Sequence, residues 1–516
     1  MKKKHIYILS FLLVTLGACK KDFLVLTPPT SLTSSNFYQT KEQFQQALNA
    51  AYVPLRGIVR AAIYMDEMRS DNTFFTRYSA NRGFETSTES IPMFLDDANS
   101  SATPNSPGNR YGTNYTGIAA VNTIVVNLEG AAISQGAKDS IAGEALFLRA
   151  YYYFDLVTHF GGVPLQLTQI SSPAEAFQPR NSADEVYTQI ISDLQQAVSK
   201  LPVAATFPQT GRATKGAAKM LLAYAYMSKQ TREYDKAETE LLDITNMNYE
   251  LLADYDAVFD PANKNNAESI FEVQYMSDLV SGQQSDFAWR FAPKTLNPSF
   301  LMGCNGGTMN IFSGWNVPTQ EMLDSYETGD KRLDASVAVV EGTISGVEDF
   351  TATDIKSPVG FTPTPGKAFF YMIKKYYHPP YEVEFNTPDD WPIFRYGGAL
   401  LLLAECLVAE NKNAEALPYL NQVRQRAGLA ALSAATADNV ANEMRHELAF
   451  ENHRWTDLVR TGKAVEVMNA TGVRLKAIYP WILPNAFNVT DEKLIYPLPY
   501  REIQINNQLT QNPGYN

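Results

Sequence analysis

Two helical hairpins in this chain are copies of one another. Leu221, Tyr224, Ala225, Ala237, Leu241 and Ile244 in the first align with Leu400, Leu403, Ala404, Ala416, Leu420 and Val423 in the second, always 179 positions apart. Within each copy the apolar residues recur at the period of a helix buried on one face. The alanines let two antiparallel helices approach closely, and the leucines fill the groove between one pair and the next. A unit of this kind cannot bury its apolar face alone, so a chain that carries it twice is built as a layered helical scaffold.

The spacing matches that of a tetratricopeptide repeat. Further helices are predicted over 41–56, 139–160 and 184–200. The second ends at Gly161-Gly162 and Pro164, and the third begins at an Asn181-Ser182 cap. The copies are not in tandem. Residues 250–392 separate them and have a different texture, rich in Gly, Pro, Asn, Thr and aromatics (GCNGGTMNIFSGWNVPTQ). A second block of this kind spans about 61–116. The expected fold is therefore mainly α. It has a helical scaffold at about 37–60, 117–250 and 393–465, a loop-rich lobe at about 61–116 and 250–392, and a C-terminal segment at 466–516. Long structured loops on a rigid scaffold are where binding sites usually sit.

The N-terminus reads as an address. Lys2, Lys3 and Lys4 precede an apolar run from Ile6 to Leu16. That run is too short for a membrane span, which needs about 20 residues, and suits a signal peptide. Leu16-Gly17-Ala18-Cys19 then forms a lipobox, in which the Cys19 thiol is acylated and becomes the new N-terminus. Residues 1–18 are the expected signal peptide and 19–36 the lipidated cysteine and its tether. Acyl chains on Cys19 would anchor the folded part to a membrane. Cys406 falls in an apolar helix and reads as a core residue; Cys304 sits in a Gly-rich loop, and a disulfide between them is not readable from sequence.

The net charge of −12 opposes phosphate, so nucleic acid is not an expected partner. Motifs for chemistry fail one by one. His446-Glu447 opens like a zinc-protease motif, but Phe450 stands where the second histidine is required. Gly366-Lys367 is followed by Ala368 and preceded by prolines, which cannot supply the N–H groups of a phosphate loop. There is no G-x-S-x-G. The carboxylate doublets Asp66-Glu67, Asp96-Asp97 and Asp389-Asp390 carry no spacing that makes them a glycosidase pair. No cofactor, metal or catalytic residue is expected. Arg445, Glu447, Glu451, Arg454 and Trp455 read as a helix with ion pairs and a large apolar anchor.

Binding chemistry remains. The chain has 28 Tyr, 27 Phe and 5 Trp, a content that suggests ring faces used for something besides packing, although the core alone could absorb many of them. Sugars present apolar C–H faces and hydroxyl rims, which suit flat rings edged by Asp, Asn and Arg. The first loop block offers Asp71, Asn72, Arg77, Tyr78, Arg82 and Phe84. The second offers Trp289, Trp315 and Asn316, with Asn305 and Asn310 nearby.

Four stretches resemble the SusD/RagB family of outer-membrane nutrient-binding lipoproteins. They are Cys19 followed by KKDFL, ALFLRAYYYFDLVTHFGGVP at 145–164, RHELAFENHRWTDLVR at 445–460, and LIYPLPYREIQINNQLTQNPGY at 494–515. The resemblance implies a helical repeat core with a loop-rich lobe. It implies capture of an oligosaccharide without cleavage, or of peptide in some branches, and delivery to a SusC-like TonB-dependent transporter. Lys21-Asp22 resembles the basic-acidic signal for surface display. The residues alone leave a surface glycoside hydrolase, a peptide importer and a purely structural scaffold as rival readings.

Overall fold

A computed structural model describes residues 37–78, 88–98, 106–277, 280, 282–304 and 313–515. The signal peptide, the tether with Cys19, and Arg82, Phe84, Asn305 and Asn310 lie outside the described residues.

The chain folds as a mainly α scaffold with a few short antiparallel sheets. Helices α1 (Lys41–Tyr52) and α2 (Pro54–Ala62) open it, and a π turn at Ile63–Glu67 follows. Next come α3 (Pro107–Glu129), α4 (Gln135–Phe160), α5 (Ala183–Lys200), α6 (Lys215–Ser228) and α7 (Tyr234–Thr245). After a long interruption, α8 (Tyr396–Ala409), α9 (Asn413–Arg426), α10 (Ala437–Glu447), α11 (Arg454–Arg460) and α12 (Ala464–Ile478) complete it. The ends follow local chemistry. Thr40 and Ser182 form reciprocal capping boxes with Gln43 and Glu185, each worth about 1 kcal/mol. Gly161 ends α4 at φ 70°, where a side chain would be strained.

Consecutive helices pack in series from α3 to α9, and α7 packs directly on α8. The two hairpin copies, distant in sequence, are therefore neighbours in space. Their equivalent residues meet: Cys406 Sγ lies 3.6 Å from Met227 Sδ, and these two positions are themselves 179 apart. All twelve aligned apolar positions are buried. Cys304 and Cys406 are both free and buried.

The loop blocks are shorter and more ordered than their texture suggests. Helix and π turn run to Glu67, and α3 already begins at Pro107, so both ends of the expected 61–116 block are helical. The second block holds a three-stranded antiparallel sheet in the order β5 (Phe350–Lys356), β4 (Val337–Ile344), β6 (Ala368–Ile373). Strand β2 (Ser269–Val273) pairs with β7 (Trp391–Arg395), which feeds straight into α8. The pairing of β1 (Thr73–Phe74) with β3 (Val317–Pro318) joins the two blocks, with Phe74 opposite Val317.

Scaffold and lobe are locked by buried charge. The Arg395 guanidinium meets Glu268 at 2.8 Å, Glu447 at 2.5 Å and Glu451 at 2.7 Å. Arg426 joins Glu268 at 2.9 Å and also pairs with Glu447. From the lobe, Arg332 reaches Glu447 at 3.1 Å and Lys375 reaches Glu451 at 2.7 Å. Such a network fixes register more than it adds stability, because each ion loses its hydration. Glu447 and Glu451 are thus held in ion pairs, as expected. His446 bonds Ser325 Oγ at 2.9 Å and stacks on Tyr326. Among the described residues no group of His, Cys, Asp and Glu is arranged to hold a metal. No described helix is long and apolar enough to cross a membrane.

Candidate functional site

Where β1 meets β3, an open cleft of about 420 Å³ lies between the lobe and α12. Three stretches far apart in sequence supply its rings. Phe74 and Phe75 come from the first block. Phe369 and Tyr371 come from β6, whose alternation aims them away from the Phe370 and Met372 side, which packs into the lobe's own core. Tyr479 and Trp481 follow the end of α12, where Pro480 prevents the helix from continuing.

The rings are arranged as a platform. Phe74 lies nearly parallel to Trp481, with centroids 6.0 Å apart and planes inclined 16°. It also stacks on Tyr479 at 6.0 Å and 25°. Tyr479 is 37% exposed, and Trp481 is half-buried. The Arg77 guanidinium sits 4.9 Å from the Trp481 ring centre, a cation–π contact that holds it in place. Tyr371 donates its hydroxyl to Gln320 Oε1 at 3.0 Å.

Asp71 forms part of the cleft wall, with its carboxylate gripped from behind. Arg454 binds it through two bonds of 2.8 and 2.9 Å, and Arg445 lies 3.0 Å away. Burial alone would raise the Asp71 carboxyl, but these guanidiniums outweigh it and hold its pKa at about 2. Arg445 also binds Glu321 at 2.7 Å. Asn72 lies one layer deeper. It donates to Glu67 Oε1 at 2.9 Å and accepts from Arg445 Nε at 2.9 Å.

Of the residues singled out from sequence, Asp71 and Arg77 line this cleft. Asn72 braces it from beneath. Tyr78 is half-buried, its hydroxyl accepting from the Lys294 backbone N–H at 3.0 Å. The second block departs from expectation. Trp315 is wholly buried against Tyr64 and Phe75. Trp289 is buried with Tyr381 and Phe385 in the small core beneath the three-stranded sheet. Neither presents a ring face to solvent. Asn316 is buried at φ 53° and accepts from Thr73 Oγ1 at 2.6 Å, so it shapes the β1–β3 junction. Sequence reasoning missed Phe74, Phe369, Tyr371, Tyr479 and Trp481. An aromatic-Pro-aromatic triplet just past a helix end was the available signal for the last two.

Comparisons agree with this architecture. The pattern described as "SusD family" matches residues 267–515, and that described as "Starch-binding associating with outer membrane" matches residues 22–229. A SusD-like protein of Formosa agariphila is 26% identical over the whole of both chains. The starch-binding protein SusD of Bacteroides thetaiotaomicron is 24% identical over 72% of each. Among solved structures, a laminarin-binding SusD-like protein superposes with a TM-score of 0.73 at 24% identity, covering 93% of this chain and all of that one. Surface glycan-binding protein A from Bacteroides fluxus gives 0.71 at 26% identity, over 92% of this chain and all of that one. Helical scaffold, loop lobe and the two matching patterns converge: this chain belongs to the SusD/RagB family.

Proposed function

We propose that the protein captures an oligosaccharide in the aromatic cleft and passes it, uncleaved, to a SusC-like TonB-dependent transporter in the outer membrane. The observation that carries this reading is the pair of rings Tyr479 and Trp481, partly open to solvent, backed by the buried Phe74 and edged by polar groups. Relatives support it by what they are called: one binds starch, another laminarin, and a third structure holds laminarihexaose. The cleft's carboxylates are poorly suited to cleavage. Asp71, held at about 2, cannot act as a general acid near neutrality, and Glu321 is tied to Arg445. Lipidation at Cys19 supplies the anchor to the outer membrane, where the lipoprotein faces outward as a lid on its transporter.

Affinity electrophoresis against a polysaccharide panel tests the reading. The protein is retained by at least one glycan, and Trp481→Ala weakens that retention about tenfold or more through loss of ring stacking. Retention unchanged in Trp481→Ala, or sugar release by the purified protein, overturns it. In cell fractionation, Cys19→Ala moves the protein from the membrane to the soluble fraction; persistence in the membrane would count against lipidation.

A further inference from the structure

We infer that the saccharide gripped in this cleft is anionic, carrying carboxylate or sulfate groups read by Arg77 and Arg474. The inference rests on the glycan-binding reading above and narrows it.

Positive charge is left over at the cleft. Around the cleft, four guanidiniums (Arg77, Arg445, Arg454 and Arg474) face the two lining carboxylates, Asp71 and Glu321. The two carboxylates are already taken from behind. Asp71 is held by Arg454 and Arg445, and Glu321 Oε2 by Arg445 at 2.7 Å. Among the described residues the one carboxylate oxygen near Arg474 is that same occupied one, at 3.7 Å, and the arginine side chain is 42% exposed. It donates to Thr471 Oγ1 at 2.9 Å. Arg77 is exposed, and among the described residues no carboxylate pairs with it. Its partner is the face of Trp481. Asp324 accepts from Gln320 Nε2 at 2.8 Å, and among the described residues it pairs with neither arginine.

A cation resting on a ring keeps its N–H groups free and its orientation fixed, which suits planar recognition of a carboxylate or sulfate. The whole chain carries −12, so its general field repels a polyanion. A local cationic pair beside a stacking platform overcomes that at one place. The rim groups that would match neutral hydroxyls are already engaged: Asp71 by Arg445 and Arg454, and Gln320 by Tyr371 and Asp324.

The test uses the purified chain, affinity electrophoresis and titration calorimetry. The probes are polygalacturonate, alginate, a sulfated galactan and neutral laminarin, each acidic polymer paired with its carboxyl-reduced or desulfated form. At least one polyanion is bound, and removing its charge abolishes binding. Raising NaCl from about 50 to 300 mM weakens it, because the contacts are screened. Arg77→Gln and Arg474→Gln each lower affinity for the polyanion about tenfold, while Trp481→Ala lowers affinity for every ligand. Arg56→Gln, on a separate polar basin, changes nothing. Circular-dichroism melts exclude unfolding. Tight, salt-insensitive binding of a neutral glycan, unchanged in both arginine variants, overturns this inference and leaves glycan capture standing. Binding of acidic peptides with no saccharide bound overturns both.

Discussion

Phe75 touches two tryptophans at the same distance, 5.6 Å between ring centres: Trp315 on one side and Trp481 on the other. Trp315 comes from a Gly- and Asn-rich stretch, the texture of a binding loop, and is entirely buried. Trp481 comes from the C-terminal segment and stands half-open on the cleft. Exposure here depends on what else covers the ring. Tyr64 closes over Trp315, whereas the Trp481 side is left to solvent and Arg77. Neighbouring rings on one phenylalanine thus serve as core on one side and as platform on the other.

Substitutions on either side separate the two roles. Trp315→Ala opens a cavity in the core and costs about 3–5 kcal/mol, seen as a lower midpoint in denaturant; a change below about 1 kcal/mol would break the contrast. Asp71, in the cleft wall, comes next. Its carboxyl falls from 3.8 in an open chain to about 2 when folded. Its contribution is therefore present above pH 3.8 and lost as pH falls through 2, and amounts to roughly 2 kcal/mol. The free energy of unfolding, measured from pH 5 down to 2, declines steeply in the native chain and less steeply in Asp71→Asn. The smallest effect on stability belongs to Trp481→Ala, about 1 kcal/mol or less for a half-exposed ring, despite its loss of ligand. Equal destabilisation by the two tryptophan variants would show that the cleft ring is also core.

Much of the scaffold was legible because its signals are local. The period of apolar residues placed α4 to α9 within a few positions, and Ser182 and Gly161 marked ends by their own chemistry. The two copies, separated in sequence, also proved to be stacked on one another. Burial in the lobe was not legible, because it depends on partners hundreds of positions away. Trp315 is covered by Tyr64 and Phe75, and Asn316 is held by Thr73. Asp71 and Arg77 both line the cleft because they flank β1 closely in sequence. The pair Tyr479 and Trp481 was overlooked because a short turn after a helix carries no periodicity at all.

The rings of the cleft come from the stretches around positions 74, 370 and 480. No contiguous piece of the polypeptide owns the platform. A growing or clipped chain that lacks its last few dozen residues has Phe74 and Tyr371 but no Trp481 beside them. The platform is therefore a certificate of completed folding: it exists only once the tail of the chain has come home to its beginning.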